Sequence, residues 1–278
     1  MLAYHGLGRA GDFARSEDAE RAIEPAAFAR QMLLLHRAGY RTIRLEQLIR
    51  FARGEDVELP PHPLVVTFDG GLARSWTGGD AILRELGFSA AVFVDVGRVN
   101  ARDPDSLTWD ELSRLQSSGR WDVQLQAGTG GHLIRYGAAP EDVGPFYAYR
   151  GSEEVLGGWR ERVFGDIAWA ERQLAARVRG YRPLAFAPPY GNYGQAGTND
   201  RRIPRVLLAR LLDSFETVFT RDGSGFAARG AGTSAPLGRI EITPDMSDSR
   251  LHALLTQDDH QPPYASQPPS TTVALPVL

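Results

Sequence analysis

The side chains with the most chemical reach sit at the ends of apolar runs. Thr67-Phe68-Asp69-Gly70-Gly71 continues Leu64-Val65-Val66, a β-branched run of the buried-strand type. An Asp just past such a strand, with two glycines behind it, lies on backbone that a ligand can approach closely, which makes Asp69 a candidate site residue. A carboxylate there equally caps the turn that follows. Gln126-Ala127-Gly128-Thr129-Gly130-Gly131-His132 comes after a second run beginning at Trp121, and puts His132 in a glycine-rich loop suited to metal binding or proton transfer. One histidine alone is a poor metal site, since zinc takes three protein ligands and a water, and a solvent-exposed loop histidine has the same signature. Phe186-Ala187-Pro188-Pro189-Tyr190-Gly191-Asn192-Tyr193 sets two tyrosines beside two backbone-fixing prolines; Tyr190 and Tyr193 offer faces that stack on sugars or anchor a core. His5, after Tyr4 at the end of the first run, is either a catalytic group or, more commonly for such a position, a histidine satisfied in the core.

The elements that must position these groups are strands alternating with amphipathic helices, the pattern of an α/β fold with a parallel sheet or barrel. Helical spacing runs from Pro25 to Gly39, Leu45 to Arg53, Asp80 to Leu86, Trp159 to Arg179 and Pro204 to Leu212. Thr108 with Glu111 forms a capping box ahead of another helix. Strand runs are Tyr40–Ile43, Leu64–Phe68, Ala90–Val94, Trp121–Leu125, Leu184–Ala187, Thr217–Phe219 and Arg239–Ile242. From Gly128 to Trp159 the chain reads as a long glycine-rich loop, and such a loop is expected over the active face. Residues 1–257 form one domain, followed by a Pro/Ser/Gln-rich tail over 258–278 of disordered or linker composition.

Composition narrows the chemistry. The chain has no cysteine and all its Lys+Arg residues are arginine, which excludes disulfides, thiolate nucleophiles, Schiff bases and a Walker lysine. A net charge of −3 with 23% charged residues points to neither nucleic acid nor an anionic membrane. No apolar run approaches the ~18 residues of a membrane span. The start, Met1-Leu2-Ala3-Tyr4-His5, lacks the basic region and apolar stretch of a secretory signal.

Taken in order, the segments resemble polysaccharide deacetylases of the NodB-homology type, carbohydrate esterase family 4. Leu2-Ala3-Tyr4-His5 is similar to the family's opening strand, and Val65-Val66-Thr67-Phe68-Asp69-Gly70-Gly71 to its TFDDG motif. Leu86-Gly87-Phe88-Ser89-Ala90-Ala91-Val92-Phe93-Val94 resembles the next strand, and Gly119-Arg120-Trp121-Asp122-Val123-Gln124 leads into the histidine motif. The proline–tyrosine segment and Arg239-Ile240-Glu241-Ile242 with Asp245-Met246-Ser247 look like the subgroup acting on poly-N-acetylglucosamine. The resemblance covers about residues 1–257 and implies a distorted (β/α) barrel of about seven parallel strands.

It also implies a divalent metal such as zinc, held by one Asp and two His, whose bound water attacks an N-acetyl carbonyl. Carried over, Asp69 matches the base, His132 the second histidine, and His5, Tyr190 and Tyr193 the substrate-binding positions, with Trp109 as a further stacking surface. Gly70 and Gly128 stand where the metal-binding Asp and the first His belong, and Ala187 where many members carry an arginine that orients the base. No cofactor is therefore expected. The favoured expectation is a degenerate deacetylase that still binds an N-acetylglucosamine-containing glycan. The alternatives are a de-N-acetylase working through Asp69 and His132 with help from Asp95 or Asp122, and a structural or partner-binding module attached to another glycan enzyme. Members of the family usually work outside the cytoplasm; compartment, oligomeric state and the existence of a segment before Met1 stay open.

Overall fold

Runs of buried β-branched and aromatic residues become a parallel sheet that wraps on itself. In this computed structural model, residues 1–99 and 103–256 are described. The tail expected over 258–278 lies outside them.

The strands, in chain order, are β1 (Leu2–Tyr4), β2 (Tyr40–Thr42), β3 (His62–Leu64), β4 (Val66–Gly70), β5 (Ala90–Asp95) and β6 (Trp121–Ala127), then β7 (Leu133–Arg135), β8 (Val143–Pro145), β9 (Ala185–Phe186), β10 (Thr217–Thr220), β11 (Leu237–Gly238) and β12 (Ile240–Glu241). Eight of them form one sheet in the order β11-β10-β9-β6-β5-β4-β1-β12, all pairs parallel. The two edge strands, β11 and β12, are consecutive in the chain with only Arg239 between them. Arg239 N–H donates to Thr220 O on one side, and Ile240 N–H to Met1 O on the other. The sheet is thus closed into a distorted barrel at a single residue. The sheet has eight strands where about seven were expected, with Leu237–Gly238, just ahead of the last expected run, adding the edge strand β11.

The helices are α1 (Ser16–Arg21), α2 (Pro25–Arg37), α3 (Leu45–Ala52), α4 (Ala73–Glu85), α5 (Trp109–Ser117), α6 (Leu156–Arg177), α7 (Ile203–Ser214) and α8 (Asp248–Thr256). Their apolar faces form the outer core with one face of the strands, from Phe28 and Met32 to Trp159 and Ile167. A smaller core fills the barrel: Phe93, Ala185 and Phe219 pack with Leu45, Leu48 and Ile49 of α3. The α5 capping box forms as read, Glu111 N–H donating to Thr108 Oγ1 at 3.3 Å.

Two segments differ from the sequence reading. The stretch from Gly128 to Trp159 contains an antiparallel hairpin, β7–β8, and buried Phe146, Tyr147 and Ala148. It ties to the loop beyond Tyr190, Thr198 Oγ1 donating to Ala148 O at 2.6 Å and Asn199 Nδ2 to Arg150 O at 2.8 Å. Helix α1 was not anticipated. No helix among the described residues is long and apolar enough to cross a membrane.

Candidate functional site

Along β4 the side chains of Thr67 and Asp69 share a face, and both meet one arginine. Arg239 is fully buried. Its Nη1 donates to Asp69 Oδ1 at 2.6 Å and to Thr67 Oγ1 at 2.9 Å, its Nη2 to Asp69 Oδ2 at 2.9 Å, and its Nε to Thr220 O at 3.3 Å. The guanidinium also lies 5.2 Å from the centroid of the Phe93 ring and 5.7 Å from that of Phe219. Burial alone would raise the Asp69 pKa, but Arg239, then His5 and Arg221, hold it below the usual carboxylate range. Asp69 is ionised and fixed. The arginine that holds Asp69 comes from the barrel seam and not from position 187, which is alanine. Sequence reasoning treated Arg239 as a strand residue; a charge set between Leu237 and Ile240 was the available signal, since a buried cation requires a partner.

Asp69 opens onto a cleft at the C-terminal ends of the strands, which His5, Asp95, Gln126, Gly131, Tyr190 and Arg221 also line. Residues 15–21 supply a further charged wall, so that the cavity is only about 130 Å³. His5 Nδ1 lies 3.0 Å from Tyr4 O; a carbonyl only accepts, which assigns the proton to Nδ1. Nε2 then accepts from Arg21 Nη1 at 3.3 Å. Burial lowers the His5 pKa to about 4, despite the opposing charge of Asp69, so the ring is neutral at pH 7. Tyr190 has φ 60°, the one positive value outside glycine among the described residues. Its hydroxyl is buried without a hydrogen-bond partner, and burial raises its pKa. Such strain is characteristic of ligand sites.

The two glycines that the resemblance aligns with metal ligands differ in what surrounds them. Gly70 has φ +95°, a conformation that side-chain-bearing residues rarely adopt. A Cβ at Gly128 would lie 2.6 Å from the backbone O and carboxylate of Asp166 on α6. That carboxylate accepts five hydrogen bonds, from Gly128 N, Thr129 N, Thr129 Oγ1, Gly130 N and Tyr147 Oη, at 2.5–3.3 Å. It fastens the loop where the family's first histidine belongs. His132 is exposed, its Nδ1 donating to Thr129 O at 3.1 Å and its ring 5.4 Å from that of Phe146; it does not line the cleft. Among the described residues no three His, Asp or Glu converge to hold an ion. The residues present do not fit the metal that the resemblance implies.

The remaining candidates separate. His5, Asp69 and Tyr190 share the cleft, and Asp95 joins them. Tyr193 is half-buried against the outer core, and Trp109 packs beneath Arg177, whose guanidinium is 5.0 Å from its ring centroid; neither lines the cleft. Asp122 begins β6 at the opposite end of the barrel, bound to Arg44 and to Leu45 N.

Comparison with known proteins agrees with this architecture. The described fold is similar to the de-N-acetylase from Aggregatibacter actinomycetemcomitans, at 17% identity and a TM-score of 0.73 over 91% of this chain and 98% of that one. IcaB from Ammonifex degensii aligns at 22% identity and TM-score 0.68 over 92% and 96%. The Streptococcus pyogenes deacetylase PplD, in complex with acetate, aligns at 18% and 0.65 over 92% and 97%. At these identities the likeness is one of fold. No curated protein matches the sequence. A family model for polysaccharide deacetylase matches residues 56–201, just over half of the 278 residues and the stretch holding Asp69, Asp95, His132 and Tyr190. The chain belongs to the polysaccharide deacetylase family.

Proposed function

We propose that this chain binds a glycan, of N-acetylglucosamine-containing type, in the cleft between Asp69 and Tyr190, and is impaired in metal-assisted deacetylation. The single observation that carries the reading is Asp166 in the space beside Gly128. A histidine there would displace the acceptor of five hydrogen bonds, so the loss of the ligand is built into the packing. Water without a metal is a far weaker nucleophile at neutral pH. Tyr190, which lines the cleft, is the stacking surface. His132 lies outside the cleft, which disfavours de-N-acetylation through Asp69 and His132.

The test is made on purified protein. Metal analysis is expected to find no stoichiometric zinc, cobalt or nickel, and a β-linked N-acetylglucosamine oligomer is expected to bind, with weakened binding to Tyr190→Ala, while releasing little or no acetate. Acetate release that a chelator stops would refute the reading.

A further inference from the structure

Two carboxylates line the cleft from neighbouring strands. Asp69 pairs in register with Phe93, and Asp95 ends the same strand two residues further on. A strand spacing of about 4.8 Å and a rise of about 3.3 Å per residue set their Cα atoms roughly 8 Å apart. Asp95 and Tyr190 face the same small cavity as Asp69. Its volume, about 130 Å³, is that of a space for one six-membered ring, comparable with the ~150 Å³ engineered cavity that takes benzene.

The surroundings of the two groups are opposite in kind. Arg239 occupies both oxygens of Asp69 and keeps it negative. Asp95 Oδ1 accepts one hydrogen bond, from Gly97 N at 3.2 Å. Its Oδ2 lies against Gly131, where any Cβ would overlap it, and among the described residues nothing donates to it. Burial raises the Asp95 pKa to about 6; Arg98, Gly97 N–H and Arg15 oppose the rise, and Asp166 adds to it. Below a pH of about 6 a carboxylic acid and a carboxylate thus face one sugar-sized space.

We infer that Asp95 and Asp69 form a general acid and its anionic partner for cleaving a glycosidic bond, a reaction different from N-deacetylation. The Asp95 proton passes to the glycosidic oxygen as its bond to the anomeric carbon breaks, and the leaving sugar departs as an alcohol. Water adds through oxygen to the anomeric carbon of the positively charged ring and gives its proton to solvent, and Asp95 regains a proton from solvent, while Asp69 stays ionised throughout. One water is consumed and two hydroxyl groups are formed. Amide hydrolysis suits the pair less well. It needs a strong base to make water nucleophilic and donors for an oxyanion, whereas Asp69 is clamped by Arg239. A glycosidic transition state carries positive charge on the ring, which a fixed carboxylate stabilises, and needs a protonated leaving group.

The inference rests on glycan binding in this cleft, and one experiment separates the two. A reducing-end-labelled β-linked N-acetylglucosamine hexamer is titrated calorimetrically and, in parallel, incubated and sized by mass spectrometry. The expected result is binding and shortening of the hexamer, with a rate that falls as pH rises through about 6. Asp95→Asn should still bind the hexamer and lose cleavage by roughly 100-fold or more. Gly131→Ala, which pushes the Asp95 carboxylate aside, is the second variant and should show the same loss with its melting curve intact. Binding without shortening overturns the inference and leaves the glycan reading standing. Absence of binding overturns both. Shortening undiminished in Asp95→Asn and Gly131→Ala overturns the assignment of the acid.

Discussion

In an unfolded chain Asp95 is ionised above a pH of about 4, whereas burial in the fold keeps it protonated up to about 6. Between those values the folded state binds more protons than the unfolded one. The contribution is favourable at low pH and is lost as pH rises through the folded value, the reverse of the usual carboxylate. Asp95→Asn should therefore stabilise the protein at pH 8 by up to about 3 kcal/mol, less any loss at the Gly97 hydrogen bond, and give no gain at pH 3. Urea unfolding at the two pH values measures it; equal effects would mean that the carboxylate is solvated. The opposite trade applies at the two ligand-position glycines. Gly128→His must push aside a backbone carbonyl on α6, and Gly70→Asp must hold a φ of +95° at about 1–3 kcal/mol. The double variant is expected to melt lower than wild type and to bind no zinc. Tight stoichiometric zinc in that variant would show that the loop can open.

Helix α1 carries a charged side of the cleft, yet none of its residues is buried. Its anchor is Arg98, which donates to Asp18 at 3.2 and 2.6 Å and to Asp103 at 2.8 Å. Removing that anchor in Arg98→Ala should speed proteolytic nicking within residues 15–21 and tighten oligosaccharide binding, since a 130 Å³ cavity is narrow for a chain of sugars. Unchanged nicking would show that α1 is held from elsewhere. The helix also shows where the sequence stops being readable. Ser-Glu-Asp-Ala-Glu-Arg has no apolar stripe, so its periodicity carries no signal, and its placement depends on an ion pair to a residue 80 positions away. The β7–β8 hairpin was hidden similarly, by three-residue strands among glycines. By contrast, the long buried runs of β4, β5 and β6 and the Thr108–Glu111 box were legible because local pattern determines them. Asp95 and Asp122 looked equivalent as strand-flanking acids. Only strand direction separates them, one at the cleft end and the other beside Arg44 at the far end.

The whole molecule closes at Arg239, and its closure and its candidate chemistry share one ion pair. The backbone at this residue joins the two sheet edges, while its side chain crosses the barrel interior to Asp69 on β4. That relation is invisible in sequence, where the two residues are 170 positions apart. A fully buried arginine, even one making four hydrogen bonds, is costly to desolvate, so its worth lies in the match to Asp69. Arg239→Met keeps much of the volume between Phe93 and Phe219 but leaves the Asp69 charge buried without its partner. The expected loss is about 3–5 kcal/mol of unfolding free energy. Adding Asp69→Asn should recover part of that loss, because the uncompensated charge is then gone and only the hydrogen bonds to Thr67 and Thr220 are missing. Urea denaturation of the wild type, both single variants and the double variant gives the coupling energy directly. A coupling near zero would mean that the seam is held by its strand hydrogen bonds alone, and that Asp69 is kept ionised by His5 and Arg221 rather than by Arg239.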